Sequence, residues 1–322
     1  MSKTISVAFA SDDVLAMPMT VAIASLLATR APDTMLDIHA LSCGISKRSE
    51  ARVRRTMAEH GKDVATLTWH PIEGARADLL QKLYTKSDRP YPPAAYARLL
   101  LGELLPASTG KVIYLDSDVV ATTDLGPLWD MPMDDVDVLA ITDLPHDGGH
   151  DERLRRTLSP EDVRRYGLDA YHGYFQSGVL VLALGPLRAG LDRELLDLLQ
   201  RYPQLTFPDQ DALNVVFAAR HRLIDPRWNA PTASYWYKEG DETPYPPDVM
   251  QSLRETPFII HFSGRPKPWE PGSTHPLAHR WQTFFEMTAW TSRKRTLLTR
   301  AIDRIPRARR VIGKRLRRLL KS

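Results

Sequence analysis

Two carboxylates two residues apart, Asp116 and Asp118, close the apolar run Val112-Ile113-Tyr114-Leu115 within KVIYLDSDVVATTDLGPLWD (Lys111–Asp130). On an extended backbone an i, i+2 spacing turns both side chains to one face, here at the end of what reads as a buried strand. Open α/β sheets bind ligands at the carboxyl ends of their strands, which makes this a place for a cation. A hard divalent metal is commonly held by one or two carboxylates together with substrate phosphates. Three residues alone do not decide the matter, because aspartate is also common where a strand exits into a solvated turn. His261 closes a second strand-like run, Phe258–Phe262. Arg98 sits on an apolar helical pattern with Leu99, Leu100 and Leu104, where a structural arginine snorkelling from the helix is the competing reading.

The elements that must carry these residues alternate through the first half. Thr4–Ala10 reads as a strand, Pro18–Arg30 as a helix, Met35–Ser42 as a strand, Lys47–His60 as a helix and Val64–His70 as a strand. Such alternation predicts a mostly parallel sheet wrapped by helices. Ala94–Leu105 is a helix leading to the central strand Lys111–Leu115, and Val136–Thr142 and Tyr174–Leu184 are further strands. Ser159-Pro160-Glu161-Asp162 is a helix start, with Gly167 placed to end that helix. Arg227–Pro257 is rich in Pro, Tyr and Trp, lacks clean periodicity and is expected to form long functional loops.

The segment around Asp116 resembles the signature of family 8 retaining glycosyltransferases, most closely the bacterial lipopolysaccharide galactosyl- and glucosyltransferases. The resemblance recurs in the family's order in VAFASDD (Val7–Asp13), YAR (Tyr96–Arg98), ITD (Ile141–Asp143), FQSGVLVL (Phe175–Leu182), DQDALN (Asp209–Asn214) and HFSGRPKPW (His261–Trp269). It implies a GT-A type nucleotide-diphospho-sugar transferase fold over residues 1–272, followed by a helical C-terminal region, 273–322. The implied reaction is metal-dependent transfer, with retention, of a hexose from UDP-galactose or UDP-glucose to a saccharide or lipid-linked oligosaccharide acceptor of a cell-envelope glycan.

The same resemblance distributes the site. Asp116, Asp118 and His261 become metal ligands, and a mixed carboxylate and imidazole set with diphosphate oxygens suits Mn²⁺, with Mg²⁺ also admissible. Ala10 and Asp12 match positions that hold the uracil and ribose; Val14 stands where related enzymes often carry Asn. Arg98, Ser117 and Gln176 fall among the donor contacts. Gln176 is one methylene longer than the usual Asn, which leaves the identity of the donor sugar open. Lys267 is suited to sit on the β-phosphate as a point charge, and Gly264 either lets backbone approach the phosphates or serves an ordinary turn. Asp143, Asp209 and Gln210 flank the reacting centre. An amide is a feeble nucleophile and no strong base, so Gln210 is assigned to stabilising positive charge on the sugar ring, and a covalent intermediate on Asp143 or Asp209 stays open.

Composition restricts the rest. The chain of 322 residues is 43% hydrophobic and 25% charged, and its one cysteine, Cys43, excludes an intrachain disulfide. Residues 291–322 hold 13 of the 43 Lys and Arg but only one of the 39 acidic side chains, so the remainder, with 30 against 38, is mildly acidic. In this tail Leu297, Leu298, Ala301, Ile302 and Ile305, and again Ile312, Leu316, Leu319 and Leu320, recur at helical spacing opposite arginines. A basic amphipathic segment of this kind is expected to lie on an anionic membrane surface. It has no aromatic residue for stacking on bases, so nucleic acid is not expected as a partner. With no signal-peptide pattern and no membrane-length apolar run, the expected location is cytoplasmic, peripheral on the inner face of the cytoplasmic membrane. The rival readings are a haloacid-dehalogenase-like Mg²⁺ phosphotransferase, whose nucleophile also follows an apolar strand in an Asp-x-Asp pattern, and a non-catalytic nucleotide-sugar binder.

Overall fold

A computed structural model of the chain describes residues 3–87, 91–144, 149–170, 173–238, 240–243 and 245–291. Among the described residues ten strands form two sheets: β1 (Lys3–Ser11), β2 (Thr34–Ser42), β3 (Ala65–Pro71), β4 (Lys111–Leu115), β5 (Val119–Ala121), β6 (Val138–Thr142), β7 (Phe175–Ala183), β8 (His221–Leu223), β9 (Ala230–Pro231) and β10 (Ile259–His261). The larger sheet runs β3-β2-β1-β4-β7-β6-β8 and the smaller β5-β10-β9. All pairings in the larger sheet are parallel except those of β7, which lies antiparallel to both β4 and β6.

Burial on both faces explains why the central strands read as continuous apolar runs. Ile5, Val7 and Phe9 of β1 pack with Met19 and Ile23 of helix Ala16–Thr29 on one side. Ala8 and Ala10 face the other way, toward Tyr96, Tyr114 and Leu180. Crossings that return the chain for parallel pairing are made by helices Ala16–Thr29, Lys47–His60 and Ala75–Lys86. The capping signal at Ser159 is realised: its hydroxyl accepts from the Asp162 N–H, starting helix Pro160–Arg165, and Gly167 follows it at φ +68°.

Three expectations need correction. The Asp116–Asp118 pair does not lie on extended backbone; β4 ends at Leu115, and the three residues form a turn into β5. The turn moves the chain from the larger to the smaller sheet, and Asp and Ser favour such turns. The helix expected over Ala94–Leu105 is three short pieces, Pro93–Tyr96, a 3₁₀ turn Ala97–Leu100, and Leu101–Leu104. Arg98 lies in the tight turn and donates from Nε to the Ala95 carbonyl, which a regular helix would use for its own ladder. Arg227–Pro257 contains β9 and helix Pro247–Glu255, which starts with proline at its first position and buries Met250 and Leu253.

Helix Ala278–Phe285 places Trp281 against Val21, Val120, Ile260 and Phe262. Trp290 donates from its indole to Thr20 Oγ1 at 3.1 Å, with the Arg52 guanidinium stacked on its ring. Among the described residues no helix is long and apolar enough to cross a membrane. Beyond Thr291 the expected basic tail lies outside the described residues, as do residues 88–90.

Candidate active site

Because β7 runs against its neighbours, its start meets the ends of β1, β4 and β6 at one edge of the larger sheet, and β10 ends there too. Asp116, Asp118 and His261 each offer one atom to a group whose members lie within 4.8 Å of one another. His261 Nε2 is 3.2 Å from Asp118 Oδ1 and 3.8 Å from Asp116 Oδ2. Two carboxylate oxygens and an imidazole nitrogen converging in this way fit a divalent cation of the Mn²⁺ or Mg²⁺ type. Gly178 makes the convergence possible: a Cβ there would lie 2.3 Å from His261 Cε1 and 2.8 Å from Asp116 Oδ2. The Asp116 N–H donates to the Gly178 carbonyl at 2.8 Å, tying the acidic turn to β7.

Lys267 donates from Nζ to Asp118 Oδ2 and to the Phe262 carbonyl, each at 2.6 Å. Burial alone would raise the Asp118 pKa, but the charges and hydrogen bonds of His261 and Lys267 outweigh it and hold the carboxyl well below the usual range. Gly264, between His261 and Lys267, has φ +73° with open space around it, so the turn itself requires glycine.

Arg98 is buried, not snorkelling. Its NH2 donates to Asp116 Oδ1 at 2.8 Å, its NH1 to the Ser177 carbonyl at 2.7 Å, and its Nε lies 3.2 Å from Asp209 Oδ2. One cation thus joins the acidic turn to the helix Pro208–Val216 that carries Asp209 and Gln210. Burial, with a further contribution from Asp116, raises the Asp209 carboxyl to about 6 against the opposing pull of Arg98. Gln210 Oε1 accepts from the Ser177 N–H at 3.0 Å, and its Nε2 donates to Asp143 Oδ2 at 2.9 Å and to Tyr174 Oη at 3.2 Å. Asn214 secures the helix by a two-point amide contact with the Phe175 backbone, both bonds 2.8 Å.

At the end of β1, the Ala10 carbonyl accepts from the buried Ser117 hydroxyl at 3.0 Å, so that hydroxyl fastens the turn to β1. Asp12 Oδ1 accepts from the Leu15 N–H, and Asp13 Oδ1 from the Ser46 N–H. Val14 is 81% exposed. Gln176 turns its Oε1 inward, accepting from the Gly178 N–H at 2.8 Å and from the Asn229 amide. Asn229, buried and bonded through Oδ1 to His261 Nδ1 at 2.9 Å, carried no signal in the sequence; nor did the packing role of Gly178.

The sequence profile of glycosyl transferase family 8 matches residues 6–273. General stress protein A of Bacillus subtilis (strain 168) is 25% identical over 273 residues, 83% of this chain and 88% of that protein. Lipopolysaccharide 1,2-glucosyltransferase of Escherichia coli is 23% identical over 205 residues, 62% of this chain, and the match spans little more than half, 56%, of that relative. Among solved structures, galactosyltransferase LgtC in complex with donor and acceptor sugar analogs superposes with a TM-score of 0.69 at 24% identity, over 90% of this chain and 98% of its own, which establishes a shared GT-A fold. A phosphotransferase nucleophile on the first strand does not suit an Asp-Ser-Asp turn that follows β4, with three strands before it. With five-sixths of its length under one profile, the chain belongs to glycosyl transferase family 8.

Proposed function

We propose that the protein transfers galactose or glucose from a UDP-sugar to a saccharide acceptor with retention of anomeric configuration. The observation that carries this reading is the Asp116–Asp118–His261 group joined through Arg98 to Asp209 and Gln210. A cation site is thereby linked to a buried polar cluster at the strand ends. Asp116, Asp118 and His261 would hold Mn²⁺, or Mg²⁺ in its place. Bound there, the cation neutralises diphosphate charge and supports the leaving group as a Lewis acid.

The chain's own residues account for the rest. Ala10, Asp12 and Ser117 stand at the strand edge that receives the nucleoside. Lys267 exchanges its contact with Asp118 for the β-phosphate. With the Gln176 oxygen engaged, its Nε2 is the part left to meet a sugar hydroxyl. In the transfer the acceptor hydroxyl oxygen bonds to the anomeric carbon on the face that the diphosphate leaves. The bond from that carbon to the β-phosphate oxygen breaks, and the hydroxyl proton passes to the departing diphosphate oxygen. The Gln210 carbonyl, oriented by the Ser177 N–H at 3.0 Å and the Ser177 hydroxyl at 3.4 Å, supplies its dipole to the positive charge that develops on the ring. Arg98 keeps Asp116 and Asp209 apart and oriented.

The acceptor is a saccharide terminus of a cell-envelope glycan, lipid-linked oligosaccharide included, received by a site that Arg227–Pro257 shapes. The basic tail would hold the protein to an anionic membrane surface on the cytoplasmic side. Incubating the full chain with UDP-galactose or UDP-glucose, Mn²⁺ and candidate acceptors tests the reaction. UDP release with an α-linked product by NMR is the expected result. A β-linked product contradicts the retaining mechanism, and binding without any turnover or donor hydrolysis contradicts the enzymatic reading.

A further inference from the structure

His261 is oriented by a chain of amides that begins at a donor of fixed polarity. The Gly178 backbone N–H can only donate, so the Gln176 atom it meets at 2.8 Å is the carbonyl oxygen. That same oxygen faces the Asn229 side chain, which must present its NH₂ there. Asn229 therefore turns its Oδ1 to His261 Nδ1, 2.9 Å away, and an oxygen acceptor at that distance requires a proton on Nδ1. The other ring nitrogen, Nε2, is the one directed at Asp118 and Asp116. Asn229 stands one residue before β9, and β9 pairs with β10 so that His261 lies opposite Pro231. Both Asn229 and His261 are at most 2% exposed, which leaves water little part in the choice.

From this chain of polarity we infer that Asn229 is a positioning residue that fixes the His261 ring with Nδ1 protonated and Nε2 presented to the two carboxylates, and that Gln176 in turn fixes Asn229. The inference deepens the metal-dependent reading above and rests on it for its consequence, not for its geometry. Partners that orient a metal-ligating histidine through its second nitrogen typically change metal affinity 10–100-fold when removed. It also gives the longer Gln at 176 a task within the protein: its carbonyl reaches both Gly178 and Asn229.

The test uses the full chain with ¹⁵N-labelled histidine and two readouts. The first is the His261 ring proton by NMR without metal; the second is Mn²⁺ affinity by electron paramagnetic resonance in the presence of UDP. A slowly exchanging Nδ1–H is expected in the parent protein, lost in Asn229→Ala and kept in Asn229→Asp, where one carboxylate oxygen accepts from Nδ1 and Gln176 turns its NH₂ to the other. Mn²⁺ affinity should fall about 10–100-fold in Asn229→Ala. Gln176→Met should weaken Mn²⁺ binding in the parent but bring no further loss in the Asn229→Asp background, because an aspartate needs nothing to orient it. A purely structural role for Gln176 predicts equal losses in both backgrounds and overturns the inference, as does an unprotonated Nδ1 in the parent. Failure of every variant and the parent to bind Mn²⁺ would overturn the functional reading, while the ring-proton readout would still decide this one.

Discussion

Gly178 and His275 show how single residues near the centre are set by their surroundings. Gly178 has no room for a methyl group, since its Cβ would lie 2.3 Å from the His261 ring. Gly178→Ala should displace that ring and destabilise the fold by about 1–3 kcal/mol, measured by denaturant unfolding. His275 is buried, its Nε2 3.2 Å from Thr232 Oγ1, and burial, assisted by the Lys267 charge, pushes its pKa down to about 4. The unfolded chain takes up this proton near 6.5 and the folded one only near 4, so stability is lost as pH falls between those values. The loss amounts to on the order of 3 kcal/mol at full titration. His275→Gln should therefore lose less stability than the parent between pH 7.5 and pH 4.5; an equal loss would contradict the assignment.

At the scale of elements, the Ser159 cap supports helix Pro160–Arg165, and Ser159→Ala should cost about 1 kcal/mol in thermal or denaturant unfolding. That cap, and the strands buried on both faces, were legible because their causes are local: a capping hydroxyl before proline, and apolar runs with no polar face. The expected strand Thr4–Ala10 differs from the observed Lys3–Ser11 by one residue at each end. β5 and β9, three and two residues long, were not legible, because strands so short exist only through pairing with β10. Helix Pro247–Glu255 was hidden by the proline-rich segment around it, although proline at a first helical position is a start signal. Of the candidate site, the grouping of Asp116, Asp118 and His261 was legible, but not the hydrogen bonds that hold the group. Asn229 meets His261 across 32 residues of sequence, through a pairing of two short strands that no local pattern announces. Asp116 and Asp118 were expected to share a face of a strand; a turn between β4 and β5 brings them together instead.

At the scale of the whole molecule, charge is divided between a mildly acidic body and a strongly basic tail. Trp290, held by Thr20 and Arg52, anchors the end of the described body beside helices Ala16–Thr29 and Lys47–His60. Deleting residues 292–322 should abolish sedimentation with anionic liposomes and leave UDP binding intact. Added salt should weaken the full chain's liposome binding, because such attraction is screened within about 10 Å at 0.1 M. Liposome binding that survives the deletion would contradict the membrane reading without touching the catalytic one. The catalytic account depends on the acidic turn acting together with a divalent cation and a nucleoside diphosphate. Calorimetric titration of the full chain with UDP, with and without Mn²⁺, beside Asp118→Ala, tests this most directly. The account predicts UDP binding that requires Mn²⁺ and disappears in Asp118→Ala; UDP binding of equal strength without metal, or unchanged in the variant, would contradict it.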